Sequence, residues 1–130
     1  ENLGNKFKVI SDNDKARYHL ASTIVSNHVL GLINEGINQL KICGFSEGEA
    51  KEALYPLVNN NISNIFDNGV INSLTGPVER ADGITLNKHL ECLDEEDKSL
   101  YKMLSRKLIG IAEDKNKGRD YKEIKLMMGE

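Results

Sequence analysis

From residue 11 onward the apolar positions recur at steps of three and four, the period of an α-helix. Leu20, Ala21, Ile24, Val25, His28, Val29, Leu32, Gly36 and Leu40 form one broad stripe. Ser11 stands where an N-cap is wanted, and Asp14 follows three residues later, where an acid meets the positive end of the helix dipole. Gly44, just after Cys43, is a natural left-handed stop. The span predicts one long N-terminal helix of about 30 residues, roughly 45 Å at 1.5 Å per residue. That is well above the usual helix length of about a dozen residues. It exceeds what the core of so short a chain needs and suits a spine for another domain or subunit. Ahead of it, Glu1 to Ile10 is a lead-in in which Phe7, Val9 and Ile10 predict a brief extended strand.

Phe45 and Ser46 restart the pattern. Ser46 and Glu49 form a capping box, each side chain able to satisfy the other residue's backbone amide. Ala50, Ala53, Leu54, Leu57, Val58, Ile62, Ile65 and Phe66 give a second stripe. Pro56 lies inside it and predicts a kink, because proline lacks the amide proton and crowds the preceding turn. Asn59, Asn60, Asn61 and Asn64 are poor helix formers, so fraying is expected toward Asn68 and Gly69. The stretch Leu74-Thr75-Gly76-Pro77-Val78-Glu79-Arg80-Ala81-Asp82 is the least helical. Asp82 can cap a shorter helix carrying Ile84, Leu86 and Leu90. Leu93 and Asp94 open another, with Asp97 in its first turn, Leu100, Tyr101, Leu104, Leu108, Ile111 and Ala112 inward, and Gly118 at its end. Residues 120–128 predict a last short amphipathic turn or two. No segment sustains a period of two, and no hairpin turn joins two strands. The predicted class is all-α, a helical bundle forming a single domain over residues 1–130.

Composition narrows the function classes. The chain has 130 residues, 39% apolar and 28% charged, with net charge −3 from 17 basic and 20 acidic side chains. Its mean hydropathy is −0.43. That balance suits one soluble domain and offers no basic field for phosphate backbones, so nucleic acid is not an expected partner. No apolar run approaches the ~20 residues of a membrane span, and no basic-then-apolar leader opens the chain. A cytoplasmic location, without a membrane partner, is the expectation. The two cysteines, Cys43 and Cys92, lie far apart with no CxxC, and His19, His28 and His89 stand at no ligand spacing. No metal site is predicted, and the thiols read as half-buried in a reducing compartment. The chain opens on Glu1 rather than Met, which fits a piece of a longer protein.

Two constellations could carry chemistry. In the loop of residues 74–82, glycine permits unusual dihedrals and proline fixes the next φ, a stiff mount for Glu79, Arg80 and Asp82. Such a cluster could orient a charged or hydrogen-bonding ligand. The same residues equally fit a plain connector in which Asp82 caps the next helix and Arg80 pairs with an acid. On the long helix, Tyr18, His19, Ser22, Ser26 and Asn27 form a polar strip. His19 and Ser26, seven positions apart, project within about 20° of each other. The strip could line a pocket with His19 as proton donor and acceptor. It fits as well a helix flank on which the serines bond back to carbonyls. No glycine-rich strand-to-helix phosphate loop is present.

The runs from Tyr18-His19 to Ser26-Asn27, from Leu74-Thr75-Gly76-Pro77 to Arg80-Ala81-Asp82, and Lys88-His89-Leu90 closely resemble the C-terminal helical domain of a family of Rossmann-like NADP-dependent oxidoreductases. That helical half is still termed a domain of unknown function (2520). The resemblance extends from about Phe7 to Ala112 and implies a fold similar to the 6-phosphogluconate dehydrogenase C-terminal domain. It further implies that His19, Ser26 and Asn27 face a substrate cleft, with His19 or Asn27 serving the reacting oxygen. Thr75, Gly76, Pro77, Arg80 and Asp82 would form the opposing substrate-binding loop. NADP or NAD would be held by an N-terminal Rossmann-like domain of the parent chain, with none bound to these residues. A small-molecule substrate and a homodimer are the other implied partners. One departure stands out. The family usually has Arg-Gly-Asp where this chain has Arg80-Ala81-Asp82, and a positive φ at that glycine would be resisted by alanine. The rival expectation is a non-enzymatic helical module for self-association, in which the loop is a connector.

Overall fold

The computed structural model describes residues 8–130, and every element within them is helical. A 3-10 turn, Asp12–Asp14, leads directly into α1, Lys15–Thr23. A π-helical turn, Ile24–His28, separates α1 from α2, Val29–Ile42. There follow α3, Glu47–Asn68; α4, Val70–Ser73; α5, Gly83–Glu91; α6, Glu95–Lys115; and α7, Lys122–Met127. The strand expected before the first helix is absent from residues 8–10, where Val9 is 96% exposed. Phe7, the first residue of that expectation, lies outside the described residues.

The helix boundaries follow local chemistry. Ser11 donates its hydroxyl to Asp14 (2.7 Å), while the Asp14 amide bonds the Ser11 carbonyl. After α2, the Gly44 amide reaches Lys41 O (3.0 Å) and the Phe45 amide reaches Leu40 O (3.2 Å). This is a Schellman closure, with Gly44 at φ 96° supplying the left-handed residue it needs. The capping box forms as written in the sequence. The Ser46 amide and hydroxyl both bond Glu49 Oε2 (2.8 and 2.7 Å), and the Glu49 amide returns to Ser46 Oγ (3.3 Å). The next turn adds an ion pair between Lys51 and Glu47. α3 runs through Pro56 without interruption to Asn68. Its end is tied rather than frayed: the Ser73 hydroxyl lies 2.8 Å from both Asn64 O and Gly69 O. Asp94 caps α6 through the Asp97 amide (2.9 Å).

The described chain forms two compact units dividing between Leu57 and Val58, just past Pro56. The first holds α1, α2 and the start of α3. Ala50 is fully buried there, and a Cβ on Gly36 would sit 3.4 Å from Leu54, so α2 and α3 approach closely at that point. The apolar stripe expected to face inward is largely open at its start: Leu20, Ile24 and Val25 are 52%, 47% and 72% exposed. Farther along, at Val29, Gly36 and Leu40, it is partly covered. Two and a half helices do not supply enough surface to close over a stripe this wide.

The second unit has a closed core of Val78, Leu86, Leu90, Ile109, Ala112, Tyr121, Ile124 and Met128. α5, α6 and α7 supply most of it. The inward face of α6 runs through Ser105, Ile109 and Ala112, with Tyr101 packed against the core; Tyr101 and Ala112 face inward as expected, whereas Ser105 and Ile109 take the places expected of Leu104 and Leu108. Leu100 and Leu108 are instead partly exposed. Serine at 105 masked the true face. At the chain's end, Arg106 binds the Met128 carbonyl and secures α7 against α6. Both cysteines are free and exposed rather than half-buried. Among the described residues, no helix is long and apolar enough to cross a membrane.

Candidate functional site

The candidate residues fall into two sets, one in each unit. His19, Ser26 and Asn27 belong to the first. Ser22, Thr23 and Ser26 turn their hydroxyls back onto the carbonyls of Tyr18 (3.3 Å), His19 (3.1 Å) and Ser22 (2.6 Å). Such back-bonding competes with the regular backbone ladder, and the ladder gives way immediately afterward, at the π turn. Single π turns inside helices recur at functional sites. Ser26 and Asn27 both lie on this one, and both are exposed, as is His19 on α1. Because a π turn spaces its bonds i to i+5, His19 and Ser26 align less closely than seven residues of regular α-helix would place them.

Thr75, Gly76, Pro77, Arg80 and Asp82 belong to the second unit and share one loop. Pro77 opens a single helical turn, where its fixed φ and missing amide cost nothing. The Arg80 amide bonds Gly76 O (3.2 Å), the Ala81 amide Val78 O (3.1 Å) and the Asp82 amide Pro77 O (2.8 Å). The last two are the paired bonds of a Schellman closure, which places its penultimate residue in the left-handed region. Ala81 occupies that position at φ 55°, the one non-glycine residue with positive φ among the described residues. Alanine therefore adopts the conformation that glycine would supply, against a Cβ penalty of about 1–2 kcal/mol.

The charges on this loop are unequally free. Asp82 is the N-cap of α5: the Thr85 amide (3.0 Å) and hydroxyl (2.7 Å) each take one carboxylate oxygen. These bonds, the Thr85 amide foremost, with Arg80 and Lys88 nearby, hold its pKa below the usual range. Glu79 turns inward. Its Oε1 accepts from Asn116 Nδ2 (2.7 Å) and from Arg119 (3.2 Å). Its carbonyl accepts from Arg119 (2.6 Å) and the Tyr121 hydroxyl (2.7 Å). The Asn116 bond, helped by the charges of Arg119 and Lys115 and opposed by partial burial, depresses the Glu79 pKa. Arg80 differs: its side chain is 59% exposed and only 4.0 Å from Asp82 Oδ2, a long ion pair. Its guanidinium is the loop's outward-facing charge.

Thr75 also lines a shallow groove of about 270 Å³ with Asn61 and Ile65 of α3, Val70 of α4, and Leu108 and Ile111 of α6. The groove is mostly apolar. In the same unit His89 Nδ1 lies 2.8 Å from the Tyr101 hydroxyl, with the two rings edge to face. Burial raises the Tyr101 pKa, against a bond from Ser105. Among the described residues no group of three or more His, Cys, Asp or Glu side chains is placed to hold a metal ion.

Sequence reasoning missed Lys115, Asn116, Arg119 and Tyr121. No local signal marks them, since their partners lie about 40 residues earlier and are chiefly backbone oxygens.

Over residues 1–108 the chain matches the family described as a domain of unknown function (DUF2520), and it belongs to that family. No curated protein and no solved structure matches it. Five of the eight core residues of the second unit, and all four side chains that fasten the loop, lie beyond the matched span.

Two outcomes follow for the loop. Ala81→Gly relieves the left-handed strain but adds freedom to the unfolded chain, leaving a net gain of about 0.5–1 kcal/mol in urea unfolding. Glu79 has a lower pKa folded than unfolded, so its contribution is complete above the ordinary glutamate value and is lost as pH falls through the folded one. Between about pH 7 and about pH 3 the melting temperature of the unaltered chain should therefore fall more steeply than that of Glu79→Gln, read by circular dichroism.

Proposed function

We propose that this chain is the substrate-capping and dimerisation domain of an NAD(P)-dependent oxidoreductase, catalytically silent without the rest of its parent. The observation that carries the reading is the loop of residues 75–82. Its backbone is closed by turn bonds, two of its three charges are taken up internally, and Arg80 is left facing outward. A guanidinium on a rigid mount suits an anionic or carbonyl group of a small substrate, because its donors are pre-aligned and its charge does not titrate. In this reading Thr75, Gly76 and Pro77 shape the substrate loop, and Asp82 holds Arg80 and α5 in register. His19 or Asn27 hydrogen-bonds the reacting oxygen, as general acid or as an orienting group. Ser26 contributes to the same polar strip. The coenzyme, NADP or NAD, supplies the hydride and is gripped by a Rossmann-like domain of the parent chain.

The resemblance of the Tyr18–Asn27 and Leu74–Asp82 runs to the helical half of 6-phosphogluconate dehydrogenase-like reductases supports this reading. The open apolar stripe running from α1 through the π turn into α2, with Leu32 41% and Val25 72% exposed, supports a covering partner, and a second copy of the chain is the one proposed. That same stripe favours the second reading, a non-enzymatic helical self-association or interaction module.

A parent protein should bind NADPH saturably in a fluorescence titration while the 130-residue chain alone does not. Arg80→Ala and His19→Ala in the parent should abolish turnover with the helical spectrum kept. A parent that leaves NADPH fluorescence unchanged contradicts the oxidoreductase reading, and variants with full function favour the module.

A further inference from the structure

The loop carrying Arg80 is fastened at two points by a segment that the family match does not reach. At its start, Lys115 Nζ donates to Leu74 O (2.7 Å) and Asn72 O (3.3 Å), the last carbonyls around the end of α4. A cation there satisfies carbonyls the short helix leaves open and opposes the negative end of its dipole. At its far side, Glu79 is held through both backbone and side chain. The Tyr121 hydroxyl, itself accepting from Asn116 (3.1 Å), meets Glu79 O, and Arg119 spans Glu79 O and Oε1. Tyr121 is 3% exposed and sits in the hydrophobic core, so its hydroxyl is aimed by packing. Gly118, at φ 97°, turns the chain so that Asn116, Arg119 and Tyr121 converge on one residue. Arg80 follows Glu79 directly.

We propose that Lys115, Asn116, Arg119 and Tyr121 are positioning residues for Arg80, holding Leu74 and Glu79 so that the guanidinium is presented from a fixed backbone. None of the four touches substrate. They act through the loop, and the precision with which this domain receives an anionic group depends on residues 115–121 as well as on the loop's own turn bonds and the Asp82 cap. The functional half of this statement rests on the reading of Arg80 given above, whereas the mechanical half stands alone.

Amide hydrogen exchange on the 130-residue chain tests it residue by residue. Arg119 is 40% exposed at its side chain, and Tyr121→Phe preserves the buried ring, so both variants keep the fold. Arg119→Ala and Tyr121→Phe should each speed exchange at the Arg80, Ala81 and Asp82 amides about tenfold, the effect of one lost hydrogen bond on local opening. The α6 amides of Ile109 and Ala112 should exchange as before. Arg119→Lys, which keeps a charged donor, should restore most of the protection. Acceleration spread evenly across α6 and the loop, no acceleration at all, or a lysine variant no better than alanine would each overturn the assignment. NADPH plays no part in the measurement, so its failure is distinct from a failure of the oxidoreductase reading.

Discussion

Glu79 is the point on which the second unit turns. A carbonyl and a carboxylate belonging to one residue receive an amide, a guanidinium and a phenol from a segment about 40 residues later. Partly buried acceptors of this kind are costly to leave unmet, and a network that meets all of them makes the surrounding backbone rigid. The strained turn at Ala81 can persist because the structure on either side of it is over-determined. On one side stand the bonds to Glu79, and on the other the Asp82 cap of α5. Together they leave Arg80 as the group with freedom to meet a ligand.

The apolar counterpart of this clamp is α7. Tyr121, Ile124 and Met128 are almost wholly buried and close the core over α5 and α6. One short segment thus completes the hydrophobic interior and aims the polar clamp, and each depends on the other. A Tyr121 hydroxyl could not reach Glu79 if its ring were not seated between Ala112 and the loop. The first unit presents the opposite condition, an apolar stripe wider than its own helices can cover. Its π turn falls where three hydroxyls compete with the backbone, and it carries the polar residues that the proposed chemistry needs.

What the sequence disclosed was chiefly what neighbouring residues decide among themselves. Ser46 with Glu49, Asp82 before Thr85, Asp94 before Asp97 and Gly44 after α2 are contests settled within four or five positions. The αL demand at Ala81 comes instead from the family resemblance, in which glycine usually stands where this chain has alanine. On α6 the pattern finds Ala112 and Tyr101 but not Ser105 and Ile109, because Leu100, Leu104 and Leu108 outweigh Ser105 in hydrophobicity, although Ser105 is the residue buried. The π turn broke a regular stripe with no glycine or proline to announce it. Within the candidate site, the loop's residues could be picked out from their own chemistry. The clamp from Asn116, Arg119 and Tyr121 could not, because long-range partners that meet backbone oxygens leave no pattern in side-chain identity.

The most direct examination of the clamp is a double-mutant cycle on its two donors to the Glu79 carbonyl, with Arg119→Ala and Tyr121→Phe made singly and together and followed by urea unfolding. Either donor alone keeps that carbonyl satisfied, whereas removing both strands it. The two losses should therefore exceed their sum by about 0.5–1 kcal/mol. Strict additivity would mean that the donors do not share an acceptor, and the loop would then owe its position to something other than this convergence.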